Sequence, residues 1–205
     1  IIAGGYFESS SIDLGNGVTL NNNGSTSYTD GMIIKLDSDG NTEWVKGIGG
    51  KGYDEIKSVA STSDGGIIAG GYFESSSIDL GNGVTLNNNG SYDGMIIKYN
   101  SEGNAQWAKA IGESREDRIN SVAPTSDGGY IARGYFDSSS IDLGNGVTLT
   151  NNSYSNDGMI IKYDSIGNAL WAKSIGGSDY DYIYSVAETR DGGIIAGGYF
   201  ESSSI

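Results

Sequence analysis

Oxygen-bearing side chains are the chemistry this chain offers in quantity: 26 Asp and Glu and 14 Tyr, against 0 Cys and 0 His. Carboxylates at close spacing can hold a hard cation or act as an acid/base pair. Asp37, Asp39, Asn41 and Glu43 alternate along the chain like the first donors of a calcium loop. The related segments read Asn100, Glu102, Asn104, Gln106 and then Asp164, Ile166, Asn168, Leu170. Ile166 and Leu170 cannot ligate a metal, while Gly-Asn persists in each segment. A solvated β-turn is therefore the expectation, calcium its rival, and no other cofactor is expected. A second set, Asp54, Asp117 and Asp181, puts an Asp at one point of each acidic loop. On a radial repeat these could ring a pocket or channel. As ordinary loop residues they would accept hydrogen bonds from neighbouring backbone amides. A catalytic pair needs two unlike environments, and identical recurrence argues against one.

Two aromatic sets also recur. Trp44, Trp107 and Trp171 each stand two residues before a Lys. Such Trp residues either stack on sugar rings or, more often, fill the space between sheets. Tyr28, Tyr92 and Tyr154 lie in Ser/Asn-rich segments of variable length. Tyr, Ser, Gly and Asn make adaptable contact surfaces, so these segments are candidates for ligand recognition, with a merely solvated loop as the alternative.

Composition narrows the functions further. Without Cys there is no disulfide, thiolate nucleophile or zinc-thiolate site, and without His no imidazole base. A net charge of −14 repels phosphate backbones, so nucleic-acid binding is not expected. Apolar runs of three or four residues are too short to span a membrane, and the first residues do not read as a signal peptide.

The elements that must position these residues come from repetition. Residues 1–25 recur unchanged at 67–91, a diverged copy begins at Tyr130, and a partial copy at Ile194. These starts give spacings of 66, 63 and 64 residues, hence units 1–66, 67–129 and 130–193 plus 194–205. All length variation falls between the Asn run and Asp-Gly-Met, where an exposed loop tolerates insertion. No window carries a helical apolar stripe, and 34 Gly disfavour helix. Strand-like runs at 94–100, 104–111, 119–125 and 129–136 are punctuated by Asp-Gly-Gly and Gly-Asn turns. Residues 78–86 carry Asn-Gly between alternating apolar positions and predict a small hairpin projecting from the unit. The expected fold is all-β: four-stranded antiparallel sheets with a hairpin insert, three full repeats and a partial fourth. A β-propeller fits this better than a β-trefoil or a solenoid.

Residues 93–112 (DGMIIKYNSEGNAQWAKAIG), with counterparts at 30–50 and 157–177, resemble the bacterial beta-propeller repeat family of secreted and surface proteins. The resemblance extends through every unit. It implies propeller blades, a bacterial secreted or cell-surface location, and no defined activity. Closure of a propeller takes roughly four to eight blades. Three units and a part imply either a longer array or self-association through open sheet edges. The expected function is a non-enzymatic extracellular interaction or adhesion scaffold for protein or glycan ligands. A lectin-like carbohydrate binder with one shallow site per unit, and a structural array forming rings or filaments, are the alternatives.

Overall fold

The computed structural model describes residues 1–24, 27–151 and 153–205, and among them every regular element is a β-strand. The first sheet opens with β1 (Ile2–Phe7), after which the short β2 (Ser11–Asp13) and β3 (Thr19–Asn21) pair as a separate ribbon. Its other two strands are β4 (Asp30–Leu36) and β5 (Thr42–Ile48). The second sheet uses β6 (Asp54–Ser61), β7 (Ile67–Phe73), then, after the ribbon β8 (Ser77–Asp79) and β9 (Thr85–Asn87), β10 (Asp93–Tyr99) and β11 (Ala105–Ile111). The third repeats this with β12 (Asp117–Pro124), β13 (Tyr130–Phe136), the ribbon β14 (Ser140–Asp142) and β15 (Thr148–Thr150), β16 (Asp157–Tyr163) and β17 (Ala169–Ile175). Finally β18 (Asp181–Glu188) and β19 (Ile194–Phe200) form a two-stranded sheet.

Both complete sheets are antiparallel meanders, β6-β7-β10-β11 and β12-β13-β16-β17, so a sheet begins in one sequence copy and finishes in the next. The same irregularity recurs in each: pairing slips between Ile56 and Ser58, between Ile119 and Ser121, and between Ile183 and Ser185. One extra residue at a fixed place bends the first strand and increases its twist.

A lone sheet cannot bury both faces, and here stacking does it. Strand β6 packs on β1 and β4, β12 on β7 and β10, and β18 on β13 and β16. Gly makes the close approach possible. A methyl at Gly70 would lie 2.6 Å from Val122 and 2.9 Å from Ile119 on the next sheet, and Gly4 faces Val59 and Ile56 in the same way. At the equivalent place in β13 stands Arg133, which donates to the Ile183 carbonyl at 3.1 Å instead.

The ribbons differ from expectation in one respect. Each forms the predicted hairpin, turning through Gly81, Asn82 and Gly83, whose φ angles are 80°, 55° and 75°. Asn tolerates this left-handed region better than most non-Gly residues. The ribbon does not project, however. It folds back over the outer strand of its sheet, β9 beside β11 and β15 beside β17. Alternation supplies the reason: Ile78 and Leu86 point to one side and are each 2% exposed within the core. Leaving both in water would forfeit roughly 1.5–3 kcal/mol apiece.

Candidate functional site

The acidic loops hold the most elaborate polar structure of the chain. Asp54 is fully buried, and its Oδ1 accepts from the amides of Glu74 and Ser75, each at 3.1 Å. Its Oδ2 accepts from the Ser75 hydroxyl at 2.6 Å and the Gly50 amide at 3.0 Å. Asp117 with Ser138 and Asp181 with Ser202 repeat the arrangement, again with hydroxyl contacts of 2.6 Å. These aspartates therefore bind together the loop before the first strand and the segment after the second, as an amide-accepting loop Asp would. Of the three, Asp181 also lines a cavity of about 210 Å³, with Tyr182, Tyr199 and Phe200.

Each has a buried carboxylate neighbour from the third strand. Asp30 Oδ2 accepts from the Asn23 amide at 2.6 Å, and Asp93 Oδ2 from the Asn89 amide at 2.9 Å. The Oδ1 atoms of Asp30, Asp93 and Asp157 are buried without a hydrogen-bond partner. Asp93 Oδ1 and Asp117 Oδ2 crowd the same space over Gly112, as Asp30 and Asp54 do over Gly49, so any side chain there would strike both. Burial pushes Asp93 up to about 6; the Asn89 amide opposes this, and the charges of Asp117 and Glu113 add to it. Asp54 is pushed up to about 6 by burial against its four hydrogen bonds. Burial and the charge of Asp181 bring Asp157 to about 6. Asp181 goes the other way: burial is outweighed by its bonds from Ser202, Gly177 and Glu201, and its pKa is lowered. An acid–carboxylate pair repeated in buried loops can hold a proton.

The proposed calcium residues are committed locally. Asp37 Oδ1 accepts from the amides of Asp39 and Asn41 at 2.9 and 2.8 Å, its Oδ2 from the Asn41 side chain at 3.0 Å, and Glu43 pairs with Lys35 at 2.8 Å. Asn100 and Asp164 cap their turns identically, which is the work of an Asx turn. Among the described residues no group of three or more acidic side chains is placed to hold a metal ion.

The three tip tyrosines separate. Tyr154 is 85% exposed, with the Arg115 guanidinium 4.9 Å from its ring centre. Tyr28 packs edge-on to Tyr53 at 5.2 Å, and Tyr92 edge-on to Tyr72 at 5.7 Å with Arg118 over its ring. Ser25 and Thr26 of the first tip and Asn152 of the third lie outside the described residues. Two of the tryptophans act between sheets: Trp44 lies on Gly103 and donates to the Ser101 carbonyl at 3.2 Å, and Trp107 lies on Gly167 and beside Tyr130, whereas Trp171 is exposed.

At the opposite end of the strands, the Asp-Gly-Gly turns carry buried lysines. Lys98, 1% exposed, donates to Asp64 at 2.9 Å and to the Tyr99 carbonyl at 3.0 Å. Lys162 makes the same pair with Asp127 at 2.7 Å. Between the two turns runs a groove of about 600 Å³, lined by hydroxyl and carboxyl groups together with Pro124 and Tyr130.

No family model matches the sequence. Over 121 residues, 57% of the chain, it is 32% identical to an uncharacterized WD repeat-containing protein, L264, of Acanthamoeba polyphaga mimivirus. The matched stretch covers only 9% of that larger protein. The similarity is to a repeat protein, and the chain's own stacked sheets are repeats.

Asp30, Asp93 and Asp157, and the Ser residues that donate to Asp54, Asp117 and Asp181, were not among the expected site residues. Their signal was present: the Asp of each Asp-Gly-Met and a Ser of each Glu/Asp-Ser-Ser-Ser recur in place. What the sequence lacks is any mark that the two segments meet.

Proposed function

We propose that the chain is a β-propeller-type repeat scaffold that binds protein partners and performs no catalysis. The observation that carries this reading is the stacking of four-stranded sheets with the same strand order, β6-β7-β10-β11 and β12-β13-β16-β17, each presenting the same turns and loops. Propellers, including those of WD repeats, are built from such four-stranded units arranged around an axis. The partial match to a WD repeat-containing protein supports the same reading. Blade number and ring closure, whether within one chain or between chains, belong to the proposal.

Repetition favours binding over catalysis. Several weak contacts displayed at fixed spacing gain affinity through effective concentration, by roughly 10²–10⁴-fold. The paired acids, by contrast, spend their oxygens on backbone amides and a Ser hydroxyl that tie loops together in each unit. The resemblance to repeats of secreted and surface proteins is the support for an extracellular, adhesive setting.

Probing the immobilised chain with a peptide array and a glycan array tests this reading. Retention of peptides with glycans silent is expected; saturable glycan binding would replace it with the lectin reading. Negative-stain microscopy tests the architecture, with curved or ring-shaped particles expected and straight filaments contradicting it.

A further inference from the structure

The same turn occurs at 62–66 and at 125–129. In the first, the Thr62 amide donates to the Gly66 carbonyl and the Gly65 amide to the Thr62 carbonyl; in the second, Thr125, Gly129 and Gly128 do the same, all at 2.9–3.0 Å. The two turns differ in what faces them from the next sheet. Ser126 donates its backbone N–H to one oxygen of Glu188 and its hydroxyl to the other, both at 2.8 Å. That is two-point recognition of a carboxylate by one residue, with charge-assisted bonds stronger than neutral ones.

At the preceding junction the structural equivalent of Glu188 is Pro124. Both residues close the first strand of their sheet, Pro124 opposite Tyr130 and Glu188 opposite Ile194. Proline has no group that could reach the turn, and the Ser63 N–H and hydroxyl have no partner among the described residues. The groove of about 600 Å³ lies there, with Ser63, Pro124 and Tyr130 on its walls. The replacement that removes the internal carboxylate thus coincides with the cavity that would admit another.

We propose that the Ser63 turn is a docking site for the carboxylate of an acidic side chain on a partner polypeptide, received as Ser126 receives Glu188. The internal occupant is itself a Glu on a β-strand, which makes peptide the chemistry of the occupant. Nearby negative charge does not forbid it. Asp64 is paired with buried Lys98, just as Asp127, beside the occupied turn, is paired with Lys162. Beside the serine, Pro124 and Tyr130 give the methylene stem of a Glu an apolar wall. The scaffold reading is needed only for the source of the carboxylate.

The test is a titration followed by amide NMR on the full chain, with the capped tripeptide acetyl-Ala-Glu-Ala-amide, its Gln counterpart and glucuronate as probes. The Ser63 amide is expected to shift with the Glu peptide, and the Gln peptide to bind about tenfold more weakly, as for loss of one charge-assisted contact. Pro124→Glu should fill the site from within and abolish the response. Glu188→Gln should make the Ser126 amide respond as a second site. A Ser63 amide unmoved by the Glu peptide overturns the proposal, as does an undiminished response in Pro124→Glu. Tighter binding of glucuronate than of the peptide overturns a polypeptide as the occupant. Failure here, with the peptide array still retaining ligands elsewhere on the chain, would remove this site and leave the scaffold reading standing.

Discussion

The heptapeptide Ile-Ile-Ala-Gly-Gly-Tyr-Phe occurs in β7 and again in β19, letter for letter, and its two environments are opposite. In β7 every one of the seven residues is buried; in β19 six are exposed and the first is half-buried. Phe73 is 0% exposed and Phe200 59%. Sequence identity makes local propensity equal, so the difference belongs entirely to neighbours. β7 lies between β6 and β10 within its sheet and receives β12 on its face, whereas β19 pairs with β18 alone. The apolar layers follow suit. Among the described residues, fourteen buried ones join the second and third sheets, but only Ile131, Ile160 and Ile183 form the buried layer between the third sheet and β18. In this architecture a strand is a component, and burial is a property of the stack.

Substitutions at matched positions break the comparison most sharply. Phe73→Ala is expected to cost roughly 3–5 kcal/mol, and Phe200→Ala no more than about 0.5, in denaturant unfolding. Equal costs would mean that β19 is covered in solution. Next comes Gly70→Ala, whose methyl would press on Val122 and Ile119; it should cost about 1–3 kcal/mol. Gly197→Ala has nothing within 4 Å and should change stability by less than about 0.5 kcal/mol.

The buried acids extend the contrast to pH. Asp93, facing Asp117 and Glu113, titrates at about 6 in the fold against 3.8 when unfolded. Its protonated form is favoured by folding, so that stability is complete below about pH 4 and is lost as the pH rises through 6. Asp93→Asn should therefore stabilise the chain at pH 7, by on the order of 1–3 kcal/mol, with no gain at pH 4. Asp181 has a lowered pKa; its contribution is present above the ordinary carboxylate range and lost as the pH falls. Asp181→Asn should destabilise at pH 7. Thermal unfolding of both variants across pH 4–7 checks the two signs. Ser75→Ala is expected to cost about 1–3 kcal/mol, a buried carboxylate being deprived of its hydroxyl donor. Unfolding at pH 7 measures it.

Much of the fold was legible because four copies in one chain expose which positions vary together. Strand runs, the Asp-Gly-Gly turns and the Asn-Gly hairpin all follow from local chemistry and were found within a residue or two. The sense of the ribbon was not, because Ile78 and Leu86 alternate equally well whether the hairpin projects or folds back. The amide-accepting role of Asp54 was readable as a loop habit. Its pairing with Asp30 was not, since only the β4–β5 hairpin, returning the chain to the start of the next sheet, brings those residues together. Tyr28 and Tyr92 looked like Tyr154 in sequence; Tyr53, Tyr72 and Arg118, supplied by other loops and strands, pack over the first two.

Amide hydrogen exchange read by NMR on the intact chain tests the central claim most directly, by comparing Ala69 with Ala196 inside the two identical heptapeptides. Burial by stacking predicts that Ala69 exchanges at least about a hundredfold more slowly, because its opening requires disruption of neighbouring sheets while β19 opens locally. Equal protection of the two alanines would contradict the account and place the stability of these strands in their own sequence.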